Sequence, residues 1–140
     1  MILVKQAGVY VNILNCRLKK HLAEVFKKNG VNLTAEQYLV MDTLWNEGTL
    51  TQQAIAFIIQ KDKNSVTQFI DNLEKKGLVT RSVAKDDRRV NNIVVTAEGM
   101  ALKDSTKQLA IETMNKALEG IPEEQVLIFV DVLKKICGNI

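Results

Sequence analysis

Apolar residues recur at spacings of three and four from the start of the chain. Leu3, Ala7, Tyr10 with Val11, Leu14, Leu18, Leu22, and Val25 with Phe26 make a stripe that ends at Asn29-Gly30. This spacing predicts one long helix whose apolar face has no partner next to it in sequence, so it packs either on its own domain or on a second subunit. A second helix should start at Thr34, where a hydroxyl cap and Gln37 three residues on form a capping box, and stop at Gly48 after burying Tyr38, Met41, Leu44 and Trp45. Thr51 then caps a short helix with Ile55, Ala56 and Ile59 inward. A polar turn at Gln60 to Lys63 leads to another helix with Val66, Phe69, Ile70 and Leu73 inward, ending at Lys75-Lys76-Gly77. Two short helices joined by a tight turn predict a helix-turn-helix.

Beyond Gly77 the period changes. Residues 78–83 and 91–96 are β-prone, and the charged stretch Ala84 to Val90 between them predicts a hairpin with a basic tip. Thr96 should cap a long fifth helix reaching Glu119-Gly120, and Pro122, placed at a first helical position, should open a sixth with Val126, Phe129, Val130, Leu133 and Ile136 on one face. The reading is a mainly α chain with a small β-hairpin wing. Residues 1–140 form one domain, in which 34–99 make a winged helix-turn-helix lobe and 1–33 with 100–140 supply dimerisation helices.

Composition narrows the partners. A chain of 140 residues with 46% hydrophobic content supports one core. No apolar run reaches the length of a membrane span and no cleavable leader is legible, so a cytoplasmic protein is expected. The net charge of +3 is uneven, with +5 on residues 1–33 and +2 on 51–99. Cys16 and Cys137 lack metal-ligand spacing, the single histidine is His21, and no glycine-rich phosphate loop is present. Neither an enzyme nor a metal or cofactor site is expected.

The motifs are more specific. Leu50-Thr51-Gln52-Gln53-Ala54-Ile55-Ala56, Asp62-Lys63-Asn64-Ser65-Val66-Thr67-Gln68, Leu73-Glu74-Lys75-Lys76-Gly77-Leu78-Val79 and Asp87-Arg88-Arg89 followed by Val95-Thr96-Ala97-Glu98-Gly99 resemble the pattern of the MarR family of transcription regulators. The close match covers residues 50–99. The resemblance implies a homodimer that binds double-stranded DNA at an inverted repeat, as a repressor responsive to a ligand. It also implies that Arg89 enters or borders the minor groove while Asp87 orients it. Two positions depart from the family pattern: Gln68 stands where many members carry arginine, and Lys61 where an apolar residue is usual.

The helix physics agrees. With Val66, Phe69, Ile70 and Leu73 inward, the opposite face shows Asn64, Thr67, Gln68 and Asp71, with Lys63 and Ser65 near the N-terminus, a face of short polar hydrogen-bonders suited to major-groove base edges, read by Asn64, Thr67 and Gln68. Phosphate contacts fall to Lys63, Ser65, Thr51, Gln52 and Lys75, and to Lys85, Arg88 and Arg89 on the wing. The plain alternative is a solvated helix face beside a solvated ion-pair cluster. A winged helix that binds protein is a second alternative, and it would be expected to carry an apolar or acidic wing.

Many MarR-like proteins bind a small aromatic or anionic effector between dimer helices and lobe. Tyr10, Leu14, Arg17, His21, Met41 and Trp45 are the residues that could line such a crevice, the alternative being that they are ordinary core and surface. A cysteine-based redox sensor is a further alternative. Cys16 shares the first helix with the reactive cysteine of the family's peroxide-sensing branch, but that cysteine aligns nearer Tyr10.

Overall fold

The structure, a computed structural model, describes residues 2–83 and 90–140. Helix α1 spans Leu3–Lys28 and α2 spans Ala35–Glu47. A two-residue strand β1, Leu50–Thr51, leads into α3, Gln52–Ile59, and α4, Lys63–Lys75. Strands β2, Val79–Val83, and β3, Asn91–Val95, precede α5, Ala97–Ala101, α6, Lys103–Ala117, and α7, Glu123–Asn139. The strands form an antiparallel sheet in the order β1-β3-β2, with Leu50 opposite Ile93 and Arg81 opposite Ile93 from the other side.

Local signals explain most boundaries. The Thr34 side chain accepts from the Gln37 amide while the Gln37 side chain accepts from the Thr34 amide, completing the capping box. Thr51 accepts from the Ala54 amide at 3.1 Å. The core is continuous through the lobe: Val40, Met41, Ile55, Val66, Ile70, Leu73 and Ile93 are fully buried or nearly so. Phe26 from the end of α1, with Val31 and Leu33, joins this same core.

Three details depart from the sequence expectations. Strand β1 was not anticipated, because two residues are too few to show a period and the strand exists only by pairing with β3. The long fifth helix is two, α5 and α6, which meet at Leu102. Pro122 is the residue before α7 in extended conformation, with φ −58° and ψ 143°, rather than the first residue within it.

The segment between β3 and α5 shows why its residue types are needed. The Thr96 hydroxyl donates to the Gly77 carbonyl at 2.6 Å and accepts from the Gly99 amide at 3.1 Å, while the Thr96 amide donates to the Leu78 carbonyl. This threonine therefore caps α5 and ties it to the turn after α4. Gly99 is buried against Leu78 and Val95 so closely that a Cβ would overlap the Leu78 carbonyl oxygen and lie 2.6 Å from Val95 Cγ1. Its own carbonyl accepts from the Trp45 indole nitrogen at 3.1 Å. Among the described residues no helix is long and apolar enough to cross a membrane.

Candidate nucleic-acid interface

Helices α3 and α4 are joined by Gln60, whose left-handed backbone, φ 56° and ψ 45°, turns the chain, and by Asp62, which caps α4. The Ser65 amide and hydroxyl each donate to an Asp62 carboxylate oxygen at 2.8 Å, and these bonds hold that carboxyl below its ordinary value. The cap was missed in sequence. An aspartate three residues before a serine, just ahead of an apolar stripe, was the available signal.

On α4, Val66, Ile70 and Leu73 are buried, whereas Lys63, Asn64, Gln68, Asp71, Glu74 and Lys75 are exposed. Asn64, Gln68, Asp71 and Lys75 follow one another at helical spacing and so lie along one stripe. Thr67 is less free than its place in sequence implied. Its hydroxyl donates to the Lys63 carbonyl at 2.9 Å and accepts from the Gln52 side chain of α3. Ser65 is likewise committed to Asp62. A base or phosphate acceptor would have to displace these bonds, whereas the Asn64 and Gln68 side chains are exposed and bond to no other side chain among the described residues.

Thr51, Gln52 and Lys63 are brought together. With Gln53, Ala56, Val90 and Asn91 they line a concavity of about 480 Å³ between the start of α3, the start of α4 and the root of the wing. Three of the residues expected to grip phosphate thus share one hollow. Lys75 stands apart, twelve residues beyond Lys63 and so about 18 Å along the helix axis. The wing residues Lys85, Asp87, Arg88 and Arg89 lie outside the described residues.

Arg81, on β2, is a further residue that sequence reasoning passed over. Its guanidinium pairs with Asp71 at 2.6 Å and Glu74 at 2.9 Å, and its backbone amide donates to Glu74 at 3.3 Å. Two carboxylates three apart on α4, with an arginine in the middle of the next strand, were the legible clue.

The six effector candidates do not form one surface within the chain. Tyr10, Leu14 and Arg17 are exposed on α1 and His21 is half-buried, some 16 Å along the helix from Tyr10. Met41 is fully buried, and Trp45 is buried with its indole bonded to Gly99. Cys16 and Cys137 are free and exposed.

The family model described as "MarR family" matches residues 33–90, the segment that builds this lobe. Through this segment the chain is similar to the MarR family. It is 27% identical over 126 residues to the HTH-type transcriptional regulator MhqR of Bacillus subtilis (strain 168), covering 90% of this chain and 83% of that one. It spans about half the length of several further regulators that it matches. Among solved structures, mutant MarR from Escherichia coli complexed with operator DNA superposes with a TM-score of 0.86 at 21% identity, over 97% of this chain and 99% of that one. BpsR of Bordetella bronchiseptica, whose DNA binding is regulated by 6-hydroxynicotinic acid, does so at 0.87 and 20% identity, over 98% and 96%. These likenesses establish the MarR winged-helix fold for this chain.

Proposed function

We propose that this MarR-family protein is a cytoplasmic, sequence-specific repressor that binds an inverted repeat in duplex DNA as a homodimer and releases it on binding a small aromatic or anionic effector. The observation that carries this reading is the exposed stripe of α4, on which Asn64 and Gln68 bond to no other side chain among the described residues, beside a hollow that gathers Thr51, Gln52 and Lys63. Side chains with open donor and acceptor pairs suit base edges, while a lysine and helix-start amides suit phosphate. The E. coli MarR protein of the same fold complexed with operator DNA supports the same reading.

Dimerisation is supported by α7, on which no residue is buried although Leu127, Ile128, Phe129, Val130 and Val132 are all large and apolar. Apolar surface of this extent calls for a cover, and two-fold pairing supplies one. Effector binding is supported by BpsR and its aromatic acid. On this reading Tyr10, Leu14, Arg17 and His21 face the ligand across the subunit boundary, and the core residues Met41 and Trp45 only back the site.

The test is a titration of the parent and Gln68→Ala against operator and scrambled duplex at one salt concentration. Loss of a base contact should cost about 1–3 kcal/mol on the operator and much less on the scrambled sequence. Equal losses on the two duplexes would remove Gln68 from sequence reading. Arg89→Ala, by contrast, should weaken both and lower the salt dependence by about one phosphate-equivalent.

A further inference from the structure

Asp71 lies on the same stripe of α4 as Asn64 and Gln68, and Glu74 is one turn further on. A carboxylate on a surface that meets phosphate is unfavourable, and it acts over about 10 Å at moderate salt. Arg81 meets both groups at once. One guanidinium nitrogen pairs with Asp71 at 2.6 Å, another with Glu74 at 2.9 Å, and the Asp71-paired nitrogen also approaches the Thr67 carbonyl at 3.5 Å. The Arg81 side chain is 20% exposed, against 49% for Asp71 and 43% for Glu74, so the cation is the best-shielded member of the cluster. A planar fork meets two acceptors with two separate nitrogens in a fixed geometry, whereas a lysine offers a single nitrogen.

The placement of Arg81 adds a mechanical role. It is the central residue of β2, paired with Ile93 of β3, and that ladder leads to the wing on either side. Its contacts on α4 run through Thr67, Asp71 and Glu74, and Thr67 is in turn held by Gln52 of α3. A side chain with these partners fixes the angle between the wing strands and the stripe that carries Asn64 and Gln68.

Resting on the DNA-binding reading above, we propose that Arg81 is a positioning residue of that interface, masking Asp71 and Glu74 from phosphate and holding α4 in register with the wing. It need not touch DNA itself. An isolated surface ion pair contributes little to stability, so the effect is expected in binding and in its salt dependence more than in folding.

The experiment compares the parent, Arg81→Ala, Arg81→Lys and the triple variant Arg81→Ala/Asp71→Asn/Glu74→Gln. Each is titrated with operator and scrambled duplex across a range of salt, with Trp45 emission and thermal melting as checks of the fold. Arg81→Ala should lose roughly tenfold in affinity for both duplexes at low salt, with the deficit shrinking as salt screens the freed carboxylates. Arg81→Lys should recover part of that loss. The triple variant should return to within about twofold of the parent on scrambled duplex, where charge dominates, and still show a reduced preference for operator because the link to the wing is gone. Parental binding by a folded Arg81→Ala would overturn the inference, as would failure of a folded triple variant to recover on scrambled duplex. A parent that binds neither duplex would instead overturn the DNA-binding reading, and this inference with it.

Discussion

The lobe and the helices around it use apolar residues in opposite ways. Between Val31 and Ile93 the large apolar side chains are mostly buried, and the lobe closes over Val40, Met41, Ile55, Val66, Ile70 and Leu73. On α7, Leu127 and Ile128 are 65% and 63% exposed and nothing is buried; on α1, Leu3, Val4 and Tyr10 are open as well. Helix α1 divides between the two regimes, since Phe26 belongs to the lobe core while its first half stays bare. On the proposed dimer, covering the bare half with a second chain would put the subunit boundary along the same helix that ends in the lobe core.

The largest expected effect attacks the exposed side of this contrast. Burying one such side chain is worth about 1.5–3 kcal/mol, and two-fold symmetry repeats each loss, so Leu127→Asp with Ile128→Asp should weaken dimerisation by roughly a thousandfold or more. Sedimentation should report monomer where the parent is dimeric. An unchanged dimer would show that α7 is not the subunit boundary.

Next comes the buried side. Gly99→Ala forces a methyl group onto the Leu78 carbonyl and Val95, a form of overpacking that costs on the order of 1–3 kcal/mol. The signature should be a lower melting temperature with altered emission from Trp45, the only tryptophan, because its indole bonds the Gly99 carbonyl. A Gly99→Ala protein with parental melting would show that the α5 junction shifts easily.

Thr51→Ala should have a smaller effect and link the two kinds of measurement. Loss of the α3 cap costs about 0.5–2 kcal/mol, and operator and scrambled duplex should be weakened alike in gel-shift titrations, since only gripping is impaired. A loss confined to operator would move Thr51 from gripping to reading.

The smallest effect is one of pH. Asp62 is held below its ordinary value of 3.8 by the amide and hydroxyl of Ser65. A carboxyl depressed in the folded state contributes stability above its unfolded value and loses it as pH falls through the folded one. Melts between pH 5 and pH 3 should therefore show a shallow decline that Asp62→Asn, which caps without titrating, flattens. The same decline in that variant would assign it to other carboxylates.

The elements themselves were legible because their causes are local. Apolar spacing and the hydroxyl caps at Thr34, Thr51 and Thr96 each act within one or two turns, so they survive in a one-dimensional reading. The placement of Thr51, Gln52 and Lys63 beside one hollow and of Asn64 and Gln68 on the exposed face of α4 was legible for the same reason: a helix face follows from its period. Thr67 was on that face too, but its hydrogen bond to Gln52 joins side chains fifteen positions apart, and no periodicity encodes such a pairing.

The sequence alone determined the succession of the longer helices and the wing strands, the caps at Thr34, Thr51 and Thr96, the polar stripe of α4 and the motif glycine at position 99, since each follows from steric and hydrogen-bonding demands among near neighbours. Only the tertiary structure decided which distant groups meet. It paired Arg81 with Asp71 and Glu74, seated Trp45 on the Gly99 carbonyl, made a strand of Leu50–Thr51 by laying it against β3, and left α7 without cover. These contacts depend on the angles at which elements pack. Those angles come from side-chain shape summed over the whole core, a quantity that no short window of sequence contains.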